Sequence, residues 1–170
     1  MKKLGALVLL TFLINGCASM QPSIPDDYEG PVATIKDTAQ RIDDGKADLF
    51  YLYSIDGKRI KNSRIESASA SYGQGNNLVT VLLKNKVPAQ RHVLTIVGRT
   101  TYAMPMRALM GTVYEVKGDV VFSPEAGADY IVKGSLSEER SMVWLEDATT
   151  GEVIEQIQVE GSSKLGFFQK

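Results

Sequence analysis

The chain has very few of the residues that build disulfides, metal centres and nucleophilic triads. Among its 170 residues, Cys17 is the single cysteine and His92 the single histidine. One cysteine excludes an internal disulfide, and clustered Cys and His ligands for zinc are excluded as well. We therefore predict no metal and no cofactor, and any Ser–His–Asp mechanism would have to use His92.

The sequence also has no large excess of positive or negative charge. The chain carries 19 basic and 20 acidic side chains, which gives a formal charge of −1. Proteins that bind phosphate backbones show a basic patch or stripe, and none is present in this sequence. Nucleic acid is therefore not a predicted partner.

The sequence lacks an apolar run long enough to cross a bilayer. Its longest such run, from Leu4 to Ile14, has eleven residues, which as a helix span roughly 16 Å, about half the hydrocarbon thickness. Lys2 and Lys3 precede it. A positive start followed by a short apolar core predicts a secretory signal peptide.

The end of this run resembles the lipobox of bacterial lipoproteins. Its four residues, from Ile14 to Cys17, read Ile-Asn-Gly-Cys. The resemblance implies that the Cys17 thiol receives a diacylglyceryl group, that a signal peptidase cleaves between Gly16 and Cys17, and that the new amine is acylated. Ala18 follows the cysteine, which by the same resemblance implies an outer-membrane protein facing the periplasm.

The mature chain is predicted to begin with a tether. Removal of residues 1–16 takes away Lys2 and Lys3 and leaves a formal charge of −3. Residues 17–31 contain three prolines, two aspartates and little apolar surface, which predicts a flexible segment with an extended reach of roughly 50 Å. Residues 32–170 are predicted to form one domain.

Short apolar runs between turn residues predict strands in that domain. The clearest case is "ADLFYLYSIDGKRI", where Asp56-Gly57 predicts a type I′ turn. Leu49, Tyr51, Tyr53 and Ile55 are expected on one face of the first strand, and both faces are expected to be covered. Further predicted strands are "NLVTVLLK", "RHVLTIVG", "TVYEVKGDVVFS", "ADYIVKGSL", "SMVWLEDA" and "EVIEQIQVE".

These strands predict an all-β fold, an antiparallel β-sandwich of about seven to eight strands with one or two short helical turns. "KNKVPAQ" and Lys117-Gly118-Asp119 are interpreted as turns. Residues 62–77 are predicted as a long loop or a brief helix. Residues 105–110 are predicted as a short helix that starts at a proline.

The order of turns and strands resembles PEGA-type modules, small β-sandwiches of bacterial surface lipoproteins. The matching elements are the "DGK" turn and Pro88, His92, Leu94 and Ile96, while Gln90 stands where the family has glycine. The resemblance covers roughly residues 49–154. It implies a packing or binding unit without catalytic residues.

Two segments are the candidate contact sites. The first is a polar loop in which glycines favour positive φ, consisting of Tyr72, Gly73, Gln74, Gly75, Asn76 and Asn77. The second is an apolar group consisting of Tyr102, Met104, Met106 and Met110.

Other conspicuous residues are interpreted structurally. His92 alternates with apolar residues and is interpreted as a packed strand residue, and Trp144 is expected in the core between the sheets. Phe167 and Phe168 either dock on the sandwich, which we favour, or form an exposed aromatic handle. The acidic pairs at residues 138–139 and 146–147 are interpreted as solvated charge.

The sequence thus predicts a non-enzymatic envelope lipoprotein that acts as a binding or structural module, with membrane lipid at Cys17 and an envelope protein as the candidate partner. Two alternatives stay open. One is an inhibitor of a hydrolase, and the other is a periplasmic hydrolase that uses paired carboxylates.

Overall fold

A computed structural model of the chain describes residues 20–170, and the predicted leader with Gly16 and Cys17 lies outside them. The ten strands are β1 Val32–Lys36, β2 Thr38–Asp43, β3 Lys46–Ile55, β4 Lys58–Arg59, β5 Lys84–Pro88, β6 His92–Tyr102, β7 Glu115–Phe122, β8 Asp129–Leu136, β9 Arg140–Asp147 and β10 Val153–Glu160. The helices are α1 Ser63–Ser71 and α2 Pro105–Met110, and a 3₁₀ turn spans Phe167–Gln169. Within residues 20–170, no helix has the length and apolar character needed to span a membrane.

The strands form two sheets, which confirms the predicted all-β sandwich. One sheet has the order β10-β9-β8-β1-β5, and the other has the order β2-β3-β6-β7 with β4 paired to β3. All pairs are antiparallel except β1 and β8, which run parallel. Strand β1 lies between β8 and β5, two strands that are far apart in sequence, and it runs antiparallel to β5. All these pairings lie within residues 32–170.

The main core lies between the two sheets. Its fully buried members include Ile35, Leu52, Leu94 and Leu145, which come from both sheets. The Phe50 ring crosses this core, and a Cβ at Gly134 would lie 2.3 Å from it. The missing side chain at that position is what lets the two sheets close around the ring.

A second, smaller cluster covers the opposite face of β3 and β6. It contains Leu49, Tyr51, Leu78 and Val97. Both faces of β3 are therefore covered, as predicted. Ile55 packs in the main core rather than beside Leu49, because a bulge between Leu52 and Ser54 changes the alternation.

Helix α1 is held on that second face by serine side chains. Ser63, Ser67 and Ser71 are buried and recur every four residues, so they share one helix face. Their hydroxyl oxygens accept backbone N–H groups of the extended segment 79–83, in the pairs Ser63 with Leu83 at 2.8 Å, Ser67 with Val81 at 2.9 Å and Ser71 with Val79 at 2.9 Å. The helix thus takes the hydrogen-bonding role of a neighbouring strand.

This arrangement corrects two sequence predictions. The stretch "NLVTVLLK" is extended but is not a ladder strand up to Leu83, because its amides bind the helix. The following residues, predicted as a turn, form β5 at the edge of its sheet. Pro88 ends that edge strand, where its missing N–H is tolerated.

Two other turn predictions have opposite outcomes. Asp56 and Gly57 have φ values of 51° and 75°, which confirms the type I′ turn. The turn predicted at Lys117-Gly118-Asp119 is wrong, since all three residues lie inside β7. Gly118 is required there for space, because a Cβ would lie 2.8 Å from the Ile157 side chain.

Trp144 is not a core residue, in contrast to the prediction. Its neighbours Val143 and Leu145 are fully buried in the main core, so the alternation of β9 places Trp144 on the outer face of its sheet, half-buried. Its indole N–H donates to the Glu146 carboxylate at 3.1 Å.

Candidate binding groove

A groove of about 460 Å³ opens between α1, β6 and α2. Its floor is the end of β6, where Arg99, Thr101 and Ala103 alternate on the face that α1 covers. The groove therefore continues the second cluster along the side of α1.

Helix α1 supplies one wall. Arg64, Ala68 and Tyr72 recur every four residues and line the groove together with Ile65. The serine face lies next to this one on the same helix. The hydrogen bonds of the serines to residues 79–83 therefore fix where the wall stands.

Helix α2 supplies the other wall through Pro105, Ala108 and Leu109. Pro105 begins the helix at a position where its missing N–H costs nothing. The Tyr102 hydroxyl donates to the Thr112 carbonyl at 2.9 Å, which closes the loop that carries α2. The short helix predicted at residues 105–110 is confirmed.

The two candidate segments predicted from the sequence meet at this groove. Asn76 of the polar loop accepts a hydrogen bond of 2.6 Å from Arg107 of α2. Gly45 lies beneath this contact, and a Cβ there would be 2.4 Å from the Arg107 guanidinium. Tyr72 and Tyr102 both line the groove, whereas Gly73 and Gly75 shape the loop with φ values of 78° and 62°.

The charged side chains among the described lining residues are Arg64, Arg99 and Lys170, all of them cationic. Arg99 forms an ion pair with Glu115. The Lys170 ammonium donates to the carbonyls of Leu109 and Gly111 at 3.1 and 2.5 Å. The Arg64 guanidinium has no hydrogen-bond or ion-pair partner within residues 20–170. The groove therefore has a positive potential that the lining itself does not compensate.

Exposed apolar side chains concentrate around this groove. The most exposed large apolar residues of the described chain are Phe168 at 97%, Tyr72 at 91%, Met110 at 84%, Met106 at 62% and Phe167 at 59%. Tyr72 lines the groove and the methionines lie on α2. The two phenylalanines directly precede Gln169 and Lys170, which contact Arg99 and α2. Met104 is also exposed, at the start of α2.

The exposure of Phe167 and Phe168 contradicts the favoured prediction that they dock on the sandwich. Their rings pack edge-to-face on each other, with centroids 5.3 Å apart. The preceding residues pair with the strand edge instead, because the Leu165 N–H donates to the Val113 carbonyl at 2.8 Å. The tail is thus fastened by its backbone, and the aromatic pair forms an exposed handle.

His92 is buried, in agreement with its interpretation as a packed residue. Its Nδ1 lies 2.7 Å from the Asp56 carboxylate, and its Nε2 has no partner within the described chain. Partial burial acts to raise the pKa of Asp56. Hydrogen bonds from the Val93 N–H and from His92 outweigh it and hold that pKa below its ordinary value. The pair anchors the type I′ turn to β6.

Within residues 20–170, Asp37 and Asp48 have a raised pKa, and both serve the fold. Burial raises the pKa of Asp37 to about 6, although Ser63 and the Leu52 N–H donate to it. Asp37 therefore ties the start of α1 to the sheet. Burial also raises the pKa of Asp48, which accepts a hydrogen bond of 2.7 Å from Thr100.

Of the two acidic pairs predicted as solvated charge, the pair at residues 146–147 has structural partners, whereas residues 138–139 are exposed. Glu146 forms an ion pair of 2.6 Å with Lys133. Asp147 accepts the N–H groups of Thr149 and Thr150 at 2.8 Å each, which shapes the turn into β10. Glu139 lines a second, shallow depression of about 310 Å³ together with Glu160.

Comparisons of the chain with protein-family models, with curated proteins and with solved structures found no match. The resemblances to the lipobox and to PEGA-type modules stay predictions from the motifs.

Sequence reasoning found the rim of the groove but missed its walls and its charge. Arg64, Ala68 and Arg99 were not singled out, because their pattern becomes visible only when α1 is known to lie on β6. A signal was present in "SRIESASAS", where serines at four-residue spacing indicate a helix with one polar buried face. Arg64 and Ala68 each follow one of these serines, so they lie on the neighbouring face of the helix, which lines the groove.

Proposed function

We propose that this chain is a lipid-anchored envelope protein whose β-sandwich binds a ligand in the groove between α1, β6 and α2. The observation that carries the proposal is the coincidence of three features at one place. They are a concave apolar groove, uncompensated cationic groups in its lining, and the most exposed apolar side chains of the described chain around it. Exposed apolar side chains in such a cluster mark binding sites.

The described start of the chain supports a short link to the proposed anchor. The Gln21 N–H donates to the Arg59 carbonyl at 2.8 Å, beside a bridge between Gln21 and Ile60. Cys17 precedes Gln21 by four residues, a distance of roughly 14 Å when extended. With acyl chains on Cys17, the domain would stay close to the membrane surface, nearer than the tether estimate from the sequence.

Lipidation would confine the domain and raise its effective concentration for ligands and proteins at the same membrane. The residue after the cysteine, Ala18, favours the outer membrane by the lipobox resemblance. Intact-mass analysis of natively produced protein tests the anchor. We expect a chain that starts at Cys17 and carries acyl groups, and an unmodified cysteine would contradict the proposal.

Photocrosslinking in the full-length anchored protein tests the groove. A photoreactive residue at Tyr72 or at Met110 should capture a ligand, because Tyr72 lines the groove and Met110 lies on α2, which forms one wall. The same residue at Val121, which is exposed on β7, is the matched control. Equal capture from all three positions, or capture from Val121 alone, would contradict a site in the groove.

A second candidate function, inhibition of a hydrolase, has one specific observation in its favour. Phe168 projects into solvent with nearly its whole side chain exposed, and an exposed aromatic residue suits insertion into a partner's cleft. Phe168→Ala should then weaken inhibition in a panel of envelope hydrolases and proteases. Loss of inhibition with Tyr72→Ala but not with Phe168→Ala would assign that activity to the groove instead.

A further inference from the structure

We propose that the ligand of the groove is a free fatty acid, with its alkyl chain between α1 and α2 and its carboxylate on Arg64. This inference rests on the proposed binding function and names the chemical class of its ligand. It follows from three properties of the groove, which are the composition of its walls, its unpaired cation and its apolar mouth.

The walls suit an alkyl chain. The apolar lining of the groove includes Ile65 and Ala68 on α1, Ala108 and Leu109 on α2, and Val113. The volume of about 460 Å³ lies in the lower half of the range of roughly 300–1,000 Å³ for small-molecule sites. A single unbranched chain fits such a space better than a lipid with two chains.

The charge suits a carboxylate. Arg64 lies in the first turn of α1, half-buried, with no anionic partner in residues 20–170. A planar guanidinium binds a carboxylate through two parallel hydrogen bonds, and this pairing is stronger where water is partly excluded. Lys170 adds a second positive charge whose hydrogen bonds go to carbonyl groups rather than to an acid. A monoanionic head group would complete this part of the groove.

The mouth suits the entry of an apolar chain. Met106 and Met110 are exposed and lie on one face of α2, four residues apart. Tyr72, which lines the groove at the end of α1, is exposed as well. Thioether side chains adapt their shape to apolar ligands. Exposed apolar side chains therefore lie on both helices that wall the groove.

Calorimetric titration of residues 20–170 with octanoate, decanoate and dodecanoate, each below its micelle concentration, tests the inference. These residues contain every strand pairing of both sheets. Burial of each methylene group should lower Kd about fourfold. Decanol, with the same chain and no charge, should bind at least about tenfold more weakly than decanoate. A flat chain-length series, or equal binding of decanol and decanoate, would overturn the assignment.

Two pairs of variants locate the ligand. Arg64→Gln should weaken decanoate binding about tenfold and leave decanol unchanged, whereas Arg91→Gln, an exposed cation in the turn before β6, should change neither. Ala108→Trp should fill the groove and abolish binding, whereas Ala126→Trp in an exposed turn should not. Thermal melting by circular dichroism checks that each variant is folded. Equal effects within either pair would overturn the location.

The source of the chain is tested separately. Lauroyl lysophosphatidylglycerol should bind more weakly than dodecanoate, and tighter binding would replace the free acid by a lysolipid. If no amphiphile binds while photocrosslinking from Tyr72 or Met110 still captures a molecule, the fatty-acid inference fails and the proposed function stands. If neither experiment gives a signal at the groove, both fail.

Discussion

The two faces of the sheet β2-β3-β6-β7 are covered in different ways. The inner face packs on a second sheet through fully buried aliphatic residues such as Leu52 and Leu94. The outer face is covered by α1 and the segment 79–83, which are joined by serine hydroxyls and tied to the sheet through Asp37. The second sheet covers the inner face. On the outer face, a nine-residue helix leaves the end of β6 open.

This difference shows how a small β-sandwich obtains a groove without losing its core. Backbone N–H groups of the segment 79–83 donate to the serine side chains and so hold α1 in place over the sheet. The groove runs along the side of this helix. The inner face supplies stability, while the outer face supplies shape and charge. Four predictions test this division, from the largest expected effect to the smallest.

Truncation on the inner face should be the most costly change. Leu52→Ala should lower the free energy of unfolding by about 2–5 kcal/mol, because Leu52 is fully buried and leaves a cavity. Leu82→Ala, at an exposed leucine of the segment 79–83, should change it by less than about 0.5 kcal/mol. Urea denaturation measures both, and similar losses for the two variants would contradict a sealed inner face.

Loss of one serine hydroxyl should loosen the outer face. Ser67→Ala leaves the Val81 N–H without its acceptor, which should cost about 1–3 kcal/mol. Ser69→Ala makes the same chemical change on the exposed side of α1 and should have little effect. Amide hydrogen exchange at Val81 should accelerate only in Ser67→Ala. Unchanged exchange there would mean that the serines do not hold the helix.

The raised pKa of Asp37 makes the outer face more stable in mild acid. The folded-state pKa of about 6 lies above the ordinary value of 3.8, so protonation favours folding. This contribution is complete below the lower value and is lost as pH rises through the higher one. From pH 7 to pH 5 the free energy of unfolding should therefore gain about 1 kcal/mol from Asp37.

Urea denaturation at both pH values measures this gain. Asp37→Asn should reduce it, while Asp27→Asn at an exposed aspartate should leave it unchanged. Asp48, whose pKa is also raised by burial, keeps part of the dependence in the variant. An identical pH dependence of wild type and Asp37→Asn would refute the role of Asp37.

Truncation at the aromatic handle should have the smallest effect on stability. Phe168 is 97% exposed, so Phe168→Ala should change the free energy of unfolding by less than about 0.5 kcal/mol. A loss above about 1 kcal/mol in urea denaturation would show that the ring docks on the sandwich after all, as the sequence favoured.

Local patterns predicted much of the fold. Alternation and the Asp56-Gly57 pair predicted β3, its turn and the sandwich, because these signals depend on neighbours in sequence. The segment 79–83 was mistaken for a strand, since alternation does not reveal that its amides bind a helix. The core position predicted for Trp144 and the turn predicted at Gly118 were wrong for a similar reason. Which face of a strand is buried, and how much space lies beside it, is set by distant residues such as Ile157. Of the groove and its surroundings, the sequence predicted only Tyr72, as part of a polar loop, and the apolar group of Tyr102 and the methionines.

Hydrogen exchange with and without dodecanoate tests the central claim most directly. If the open end of the outer face is the binding site, slower exchange should be confined to α1, residues 99–103 and α2. Exchange in β8 and β9, which belong to the other sheet, should stay the same. Slower exchange centred on β8 and β9 with none in α1 and α2, or no change anywhere at saturating ligand, would contradict the account.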